Sequence, residues 1–254
     1  MAIALLTDFG TKGHFVAALK GTILSINPNT AIIDITHEIP QFDIRAAAFV
    51  LSACCGDFPA DTIFVTVVDP GVGSDRKAIL AVSNNKYFIA PDNGLIGFAV
   101  GNEAAVFEIT NAKFFRHPVS ETFHGRDIFA PVAAHLSLGA DPEEVGPALD
   151  DFTHILLPMP TANSPTEIYG EIIYIDQFGN IITNFANSYV ARGKAVEIGD
   201  YMIDDKRRFY AESTAENLFF IAGSAGFIEI SIYLQSARDF LGARAGQRLK
   251  LILS

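Results

Sequence analysis

Short β-branched runs alternate with helical segments over the first half of the chain, and this alternation constrains the fold more than any other feature. The expected strands and helices follow one another at residues 3–6, 15–26, 31–35, 44–55 and 63–68. The first helix places its apolar residues on one face and ends before Pro28, which cannot continue a helix. Strands this apolar are covered on both faces, so the βαβ rhythm predicts a three-layer α/β domain with a largely parallel sheet.

The pattern then changes, because strands follow one another without helices between them. Residues 78–83, 87–90 and 105–109 are separated by strong turn signals, which predicts an antiparallel edge to the sheet. Residues 128–138 have the apolar spacing of a helix, and Gly139 is its expected C-terminal cap. This helix closes the N-terminal region.

A proline-rich stretch marks the expected domain boundary, since its prolines forbid helix and weaken strand pairing. Beyond it, short alternating runs with glycine-containing turns predict a smaller all-β domain, either a barrel or a sandwich. The predicted organisation is an N-terminal α/β domain at residues 1–157, a linker at 158–167 and a C-terminal β domain at 168–254.

Composition disfavours several kinds of partner and cofactor. Eighteen Lys and Arg against 29 Asp and Glu leave a net charge of −11, which repels nucleic acid and anionic membrane surfaces. Apolar runs stop short of the roughly 20 residues of a membrane-spanning helix, and the N-terminus lacks the basic region of a secretory signal, so a cytoplasmic location is expected. The two cysteines are adjacent and there is no HExxH motif, so neither a metal nor a cofactor is expected.

Two carboxylates stand where expected parallel strands end. Asp8 follows the first strand, and Asp69 leaves the third strand into a loop rich in glycine and proline. Ligands bind α/β folds at the carboxyl ends of parallel strands, which makes the two acids candidates to face one crevice. The alternative is that both are loop-capping residues, the commoner fate of Asp in turns.

Two further clusters contain candidate functional residues. His124 lies before a glycine and an expected helix, where backbone N–H groups are free, and is a candidate general base; Asp127 beside it suits a helix N-cap. Asp176, Phe178 and Asn180 interrupt two apolar runs. A hairpin turn alone explains part of that pattern, whereas Phe178 suits stacking on a planar base whose edge Asn180 would read.

Six segments, in order along nearly the whole chain, form a combined signature. They read Thr7-Asp8-Phe9-Gly10, Thr36-His37-Glu38-Ile39-Pro40, Val68-Asp69-Pro70-Gly71-Val72-Gly73, Pro91-Asp92-Asn93-Gly94, Thr122-Phe123-His124-Gly125-Arg126-Asp127 and Asp176-Gln177-Phe178-Gly179-Asn180. Together they resemble the S-adenosyl-L-methionine (SAM) hydrolase family, also called SAM hydroxide adenosyltransferases. That family includes hydrolases, which attack the 5′ carbon of SAM with water, and halogenases (fluorinase and chlorinase), which attack it with a halide.

The resemblance implies a hydrolase that converts SAM to adenosine and L-methionine without a metal. Its catalytic set would be Asp69, Arg76 and His124, with Arg76 stabilising hydroxide, Asp69 orienting the water and His124 accepting or relaying the proton. The family's halogenases carry Tyr in place of Asp69 and lack the histidine, which favours hydrolysis. The alternatives are a halogenase and a non-catalytic protein that binds adenosine or SAM.

The resemblance also implies roles in substrate binding and a homotrimer with sites between subunits. The implied substrate-binding residues are Asp8 at the ribose hydroxyls, Phe42 beside the sugar, Phe178 and Phe209 on adenine, Asn180 at the adenine edge, Asp176 at the methionine ammonium and Ser224 at its carboxylate. Ala225 departs from the pattern, since polar or aromatic residues are often found there.

Overall fold

The computed structural model describes residues 1–101, 103–213 and 217–254, which form two compact units. Unit 1 comprises Met1–Leu156 and unit 2 comprises Leu157–Ser254. No helix within the described ranges is long and apolar enough to cross a bilayer.

Unit 1 is a mixed α/β unit. Its described strands are β1 (Ala2–Thr7), β2 (Ala31–Thr36), β3 (Ile63–Val67), β4 (Ala78–Ser83), β5 (Lys86–Pro91), β6 (Ala105–Glu108) and β7 (Ala148–Leu149). Its described helices are α1 (Phe15–Ile26), α2 (Ile44–Cys54), α3 (Gly97–Val100) and α4 (Ala130–Ser137).

The sheet of unit 1 has the strand order β2-β1-β3-β5-β4-β6-β7. The first four strands in this order pair in parallel, and the pairs from β5 to β7 are antiparallel. The predicted α/β fold with a parallel sheet and an antiparallel edge is therefore confirmed. Because β1 and β3 are parallel neighbours with Thr7 opposite Val67, the loops that follow them leave the same edge of the sheet.

The main core of unit 1 lies between one face of the sheet and the helices α1 and α4. Leu5 and Val65 from the central strands pack there with Leu19, Ile23 and Val132 from the helices, and all five are buried. On the opposite face α2 contacts β1 and α3. Helices on both faces explain why β1 and β3 are apolar along almost their whole length.

The helix predicted at residues 128–138 begins earlier and in a different geometry. Gly125–Phe129 forms a π-helical turn, and α4 follows it directly. Pro131, the second residue of α4, has no N–H to donate, and the backbone N–H of Arg116 donates to the Asp127 carbonyl instead at 2.8 Å. The helix ends as predicted, with Gly139 at φ 94°.

Unit 2 is an antiparallel β unit with one short helix. Its described elements are β8 (Thr161–Ser164), β9 (Glu167–Ile175), β10 (Ile181–Ala186), β11 (Gly193–Ile198), β12 (Tyr201–Ile203), β13 (Leu218–Ala222), β14 (Phe227–Ile232), α5 (Ala237–Leu241) and β15 (Arg248–Leu253). The main strand order is β12-β11-β15-β9-β10-β14-β13. Backbone hydrogen bonds join Phe220 of β13 to Asp205 and Arg207 just after β12, which nearly closes the sheet into a barrel. The predicted smaller β domain is confirmed.

The segment predicted as a linker contains a strand. Within residues 158–167, β8 pairs with β9, with Thr161 opposite Tyr169, and Glu167 begins β9. The prolines at 158, 160 and 165 stand outside β8, so they do not remove donors from its pairing. Residues 161–164 and Glu167 therefore belong to the sheet of unit 2.

We predict that Gly170→Ala destabilises unit 2 by about 1–3 kcal/mol. A Cβ at Gly170 would lie 2.2 Å from Asn184 Oδ1 and 2.6 Å from Cε1 of the fully buried Phe185, so neither neighbour can yield without repacking. Gly21→Ala in the interior of α1 is the matched control, because its Cβ would meet no atom within 4 Å and its helix propensity favours alanine by about 1 kcal/mol. Urea unfolding followed by circular dichroism measures both, and equal effects of the two substitutions would contradict the prediction.

Candidate active site

The loops that leave β1 and β3 open into a cavity of about 250 Å³ in unit 1. Asp8 stands directly after β1, and Asp69 comes two residues after β3. The cavity is lined by Asp8, Phe9, Phe15, Gln41, Phe42, Val67, Asp69, Val72, Thr122, Phe123, His124 and Gly125. The two carboxylates singled out in the sequence therefore share one crevice with His124.

Asp69 is held by Arg76 through a two-pronged ion pair. Arg76 Nε lies 3.0 Å from both carboxylate oxygens, and NH2 lies 2.5 Å from Oδ2. The two side chains are only 6% and 11% exposed, so water screens their attraction little. The loop that carries them turns at Gly73, where φ is 80° and any Cβ would collide with the Glu121 carbonyl, so the position needs glycine.

His124 is joined to the same guanidinium. Arg76 NH2 lies 2.8 Å from His124 Nδ1. A guanidinium has only donors, so Nδ1 must be the acceptor, and the proton of the neutral imidazole then sits on Nε2. Burial and the nearby Arg76 charge both lower the pKa of His124 below its usual 6.5. His124 is accordingly a neutral ring whose Nε2–H is the group free to meet a ligand.

The segment that carries His124 is anchored by the buried carboxylate of Asp127. Its oxygens accept from Arg126 Nε at 2.7 Å, from Arg116 NH1 at 2.8 Å and from the Ser120 backbone N–H at 2.9 Å. Burial alone would raise the pKa of Asp127, but these hydrogen bonds outweigh it and lower the pKa to about 2. Asp127 therefore ties the preceding loop to the π-helical turn, rather than acting as the simple N-cap expected from the sequence.

Asp8 is oriented by the backbone of Phe42. The Phe42 N–H donates to Asp8 Oδ2 at 2.9 Å. Phe42 itself has φ 64°, a strained conformation for a non-glycine residue, and its ring is 63% exposed at the cavity mouth. This hydrogen bond occupies Oδ2, and the carboxylate keeps acceptor capacity at Oδ1 for a ligand in the cavity that Asp8 lines.

In unit 2, Asp176 organises the turn between β9 and β10. Its Oδ1 accepts from the backbone N–H groups of Phe178 and Asn180, and its Oδ2 accepts from Asn180 Nδ2, all at 2.9 Å. Phe178 stands at the tip of this turn and is 68% exposed. Because Asn180 donates to Asp176, its Oδ1 is the atom that remains for a ligand.

The other two predicted residues of unit 2 lie in loops on either side of a buried acid, Glu229. Phe209 precedes Tyr210, whose hydroxyl donates to Glu229 Oε1 at 2.5 Å, and Ser224 follows Gly223, whose backbone packs against Glu229. Burial raises the pKa of Glu229, and nearby Asp176 acts in the same direction, although hydrogen bonds from Tyr210 and Ser231 oppose them. Sequence reasoning missed Glu229; its signal was an acid within the apolar run of β14.

The five predicted residues of unit 1 thus form one connected site, and the five of unit 2 lie in three loops of that unit. Within the part of the chain that the structure describes, no three His, Cys, Asp or Glu side chains are grouped as metal ligands would be.

Comparison with known families decides the chain's membership. The model of the SAM hydroxide adenosyltransferase N-terminal domain matches residues 3–146, and the model of the corresponding C-terminal domain matches residues 170–250. The chain belongs to the SAM hydroxide adenosyltransferase family. The family predicted from the sequence is therefore confirmed, and the two matched domains fall in units 1 and 2.

Proteins similar to this member of the SAM hydroxide adenosyltransferase family include named hydrolases. An (R)-S-adenosyl-L-methionine hydrolase of Salinispora tropica is 34% identical over 98% of this chain and 97% of its own length, and one of Methanocaldococcus jannaschii is 33% identical over 98% and 95%. A fluorinase of Actinoplanes sp. is 29% identical over 72% and 70%. A crystal structure of an uncharacterized conserved protein from Thermotoga maritima superposes with a TM-score of 0.90 at 36% identity, covering 98% of this chain and 99% of that one.

We predict that Arg76→Met raises the pKa of His124 toward its usual 6.5, because the substitution removes the positive charge that disfavours imidazolium. NMR titration of the histidine ring protons measures the change. His135 serves as the internal control, since burial and Lys113, not Arg76, lower its pKa. An unchanged His124 pKa in the folded variant would show that Arg76 does not set its protonation state.

Proposed function

We propose that this chain hydrolyses (R)-S-adenosyl-L-methionine to adenosine and L-methionine by attack of water on the ribose 5′ carbon. The observation that carries the proposal is the Asp69–Arg76–His124 cluster beside the cavity of unit 1. The comparisons support hydrolysis over halogenation, because hydrolases match nearly the full chain at about 34% identity and the fluorinase of Actinoplanes sp. matches less of it, less closely.

The reaction needs help at the nucleophile and not at the leaving group. As oxygen bonds to C5′, the C5′–S bond breaks and its electron pair leaves with sulfur, which converts a sulfonium into a neutral thioether. No acid has to protonate that leaving group. The site therefore has to hold the water in line with the C5′–S bond and to accept a proton from that water.

We propose that Asp69 accepts the proton of the attacking water. The carboxylate of Asp69 lines the cavity and is held rigidly by Arg76, so a lone pair can accept a hydrogen bond from the water and then its proton. Nδ1 of His124 is already occupied by Arg76, and its Nε2 carries a proton, so His124 donates to the water oxygen and orients it. The family resemblance implied that His124 accepts or relays the proton, and we propose the donor role in its place.

The nucleoside would be held by groups from both units. Asp8 Oδ1 would accept from the ribose hydroxyls, and the strained Phe42 would cover the sugar. Phe178 and Phe209 are exposed rings suited to stack on adenine, and Asn180 Oδ1 would accept from the adenine amino group.

The methionine end would be held by polar groups of unit 2. Asp176 keeps acceptor capacity beyond its internal hydrogen bonds and would bind the ammonium, while Ser224, exposed in the turn between β13 and β14, would bind the carboxylate. Ala225 adds no polar group to that turn. We further propose a homotrimer in which unit 1 of one subunit and unit 2 of the next complete each site. The net charge of −11 supports a cationic small molecule rather than nucleic acid as the partner.

The direct test is incubation of the purified protein with the (R) and (S) sulfonium epimers of SAM, with and without chloride or fluoride. We expect adenosine and methionine in equal amounts from the (R) epimer, independent of halide, and slower release from the (S) epimer. Halide-dependent 5′-halo-adenosine would establish a halogenase instead. Retention of SAM or adenosine without turnover would establish a binding protein.

Substitutions at the cluster separate the roles of its members. We expect Asp69→Asn to lower kcat by about 10²–10⁴-fold, because it removes the proton acceptor. His124→Gln, whose amide can donate from the Nε2 position, should lose about tenfold, and His124→Asn, which reaches only the Nδ1 position, about 100-fold. Steady-state adenosine release measures these effects, with Asp75→Asn as the matched control, since Asp75 is exposed in the same loop. Equal losses for the two His124 variants would refute the donor role.

A further inference from the structure

His37, which follows β2, is buried and contacts polar side chains on both sides of its ring. Its Nδ1 lies 2.8 Å from Thr7 Oγ1, and its Nε2 lies 3.0 Å from Asp34 Oδ1. The His37 side chain is 3% exposed and Thr7 is fully buried. The contact between His37 Nε2 and Asp34 does not have hydrogen-bond geometry, so the attraction between these two groups is mainly electrostatic. The function proposed above leaves this histidine unused.

The buried hydroxyl of Thr7 determines the direction of this chain of contacts. Thr7 Oγ1 accepts from the Phe9 backbone N–H at 3.2 Å, and its own proton needs an acceptor. Among the described residues His37 Nδ1 is the acceptor in reach, so Nδ1 is unprotonated and the ring proton is on Nε2, which lies 3.0 Å from Asp34 Oδ1. Burial would raise the pKa of Asp34, but Lys20 and His37 together lower it, which keeps Asp34 ionised beside that N–H.

The same histidine holds the chain just beyond Phe9. The His37 carbonyl accepts from the Gly10 backbone N–H at 2.7 Å. Asp8 therefore lies in a segment held on one side by Thr7 within β1 and on the other by two hydrogen bonds that lead to His37. Its carboxylate is also held by the N–H of Phe42.

The order Asp34, His37, Thr7 has the form of a nucleophile triad, but burial rules out that use. Thr7 has no exposed surface, so no substrate carbon can reach its hydroxyl. The contacts of Thr7 lead to the backbone of Phe9, which lines the cavity. The arrangement is suited to holding a loop in place.

We propose that His37 is a positioning residue that acts through Thr7 to hold the Asp8 carboxylate in register with the ribose hydroxyls of the substrate. This rests on the proposed function, in which Asp8 binds the ribose. The rigidity of the Asp8–Gly10 segment would then determine how much binding energy the hydroxyls supply.

The test compares the affinities of adenosine and 2′,3′-dideoxyadenosine by calorimetry on the full chain. The wild-type protein should prefer adenosine. Thr7→Val, which removes the hydroxyl at nearly constant volume, and His37→Gln, which withdraws the acceptor from Thr7, should each reduce that preference by about tenfold. His37→Asn, whose Oδ1 can occupy the Nδ1 position, should restore most of it, as should Thr7→Ser.

Matched controls separate positioning from a general loss of structure. Thr66→Val replaces a buried threonine on the neighbouring β3, and His135→Gln replaces a half-buried histidine on α4; both should keep the preference for adenosine. For SAM hydrolysis, Thr7→Val should raise KM by about tenfold and change kcat by less than about threefold, since ribose contacts are made in both ground and transition states. If Thr7→Val misfolds, His37→Gln and Asp34→Ala supply the same comparison, since Asp34 is half-exposed. Each of these two variants should have a reduced preference for adenosine.

The outcomes distinguish this proposal from the one on which it rests. A wild-type preference for adenosine that persists unchanged in Thr7→Val or His37→Gln overturns the positioning role and leaves hydrolysis intact. Equal binding of the two nucleosides by an active wild-type enzyme also overturns it. A wild-type protein that releases no adenosine from SAM refutes the hydrolase, while the nucleoside comparison still reports whether His37 positions Asp8.

Discussion

The Arg76 guanidinium is the interaction on which the site of unit 1 depends. It donates to the carboxylate of Asp69 and to Nδ1 of His124, and so joins the loop after β3 to the start of the π-helical turn before α4. Its charge also lies over the ring of Phe129 at 5.3 Å, in a nearly dry environment. This one cation therefore orients an acid, determines the tautomer of a histidine and, together with burial, lowers the pKa of that histidine.

This arrangement is possible because of the parallel pairing at the centre of the sheet. Since β1 and β3 run the same way, Asp8 and Asp69 emerge side by side, and crossover helices carry the chain back beneath them. The local supports differ at each residue. Asp69 is held by its ion pair with Arg76, and His124 is held by the turn that Asp127 anchors. Asp8 is held by the backbone N–H of Phe42. Each reactive group is thus held by a neighbour that is itself hydrogen-bonded, which is what preorganisation requires.

In unit 2 a different acid, Glu229, also holds neighbouring loops through the hydrogen bonds that it accepts. Glu229 projects from β14 and accepts from Tyr210 and Ser231, which keeps a polar cluster beneath the loops that carry Phe209 and Ser224. Asp176 satisfies three donors of its own turn and in doing so leaves Phe178 at the tip. The exposed aromatic rings of unit 2 therefore lie in loops that are held by a buried carboxyl group, Glu229, and a half-buried one, Asp176.

The sequence by itself determined most of the secondary structure, the α/β and β classes, the family and the identity of the acids at the strand ends, because apolar periodicity, turn residues and motifs are properties of consecutive residues. It did not show the strand β8 within the proline-rich segment. The four residues between the prolines become a strand only because β9 lies beside them and pairs with them in the folded unit. It named His124 as the residue that accepts or relays the proton, whereas the donor role that we propose rests on the contact with Arg76, 48 positions away in the sequence. The burial of His37 between Thr7 and Asp34, and of Glu229 beneath its loops, was likewise decided only by the tertiary structure. Packing between residues that are distant in the sequence determines which groups contact a polar side chain, and these contacts determine its protonation state and its orientation.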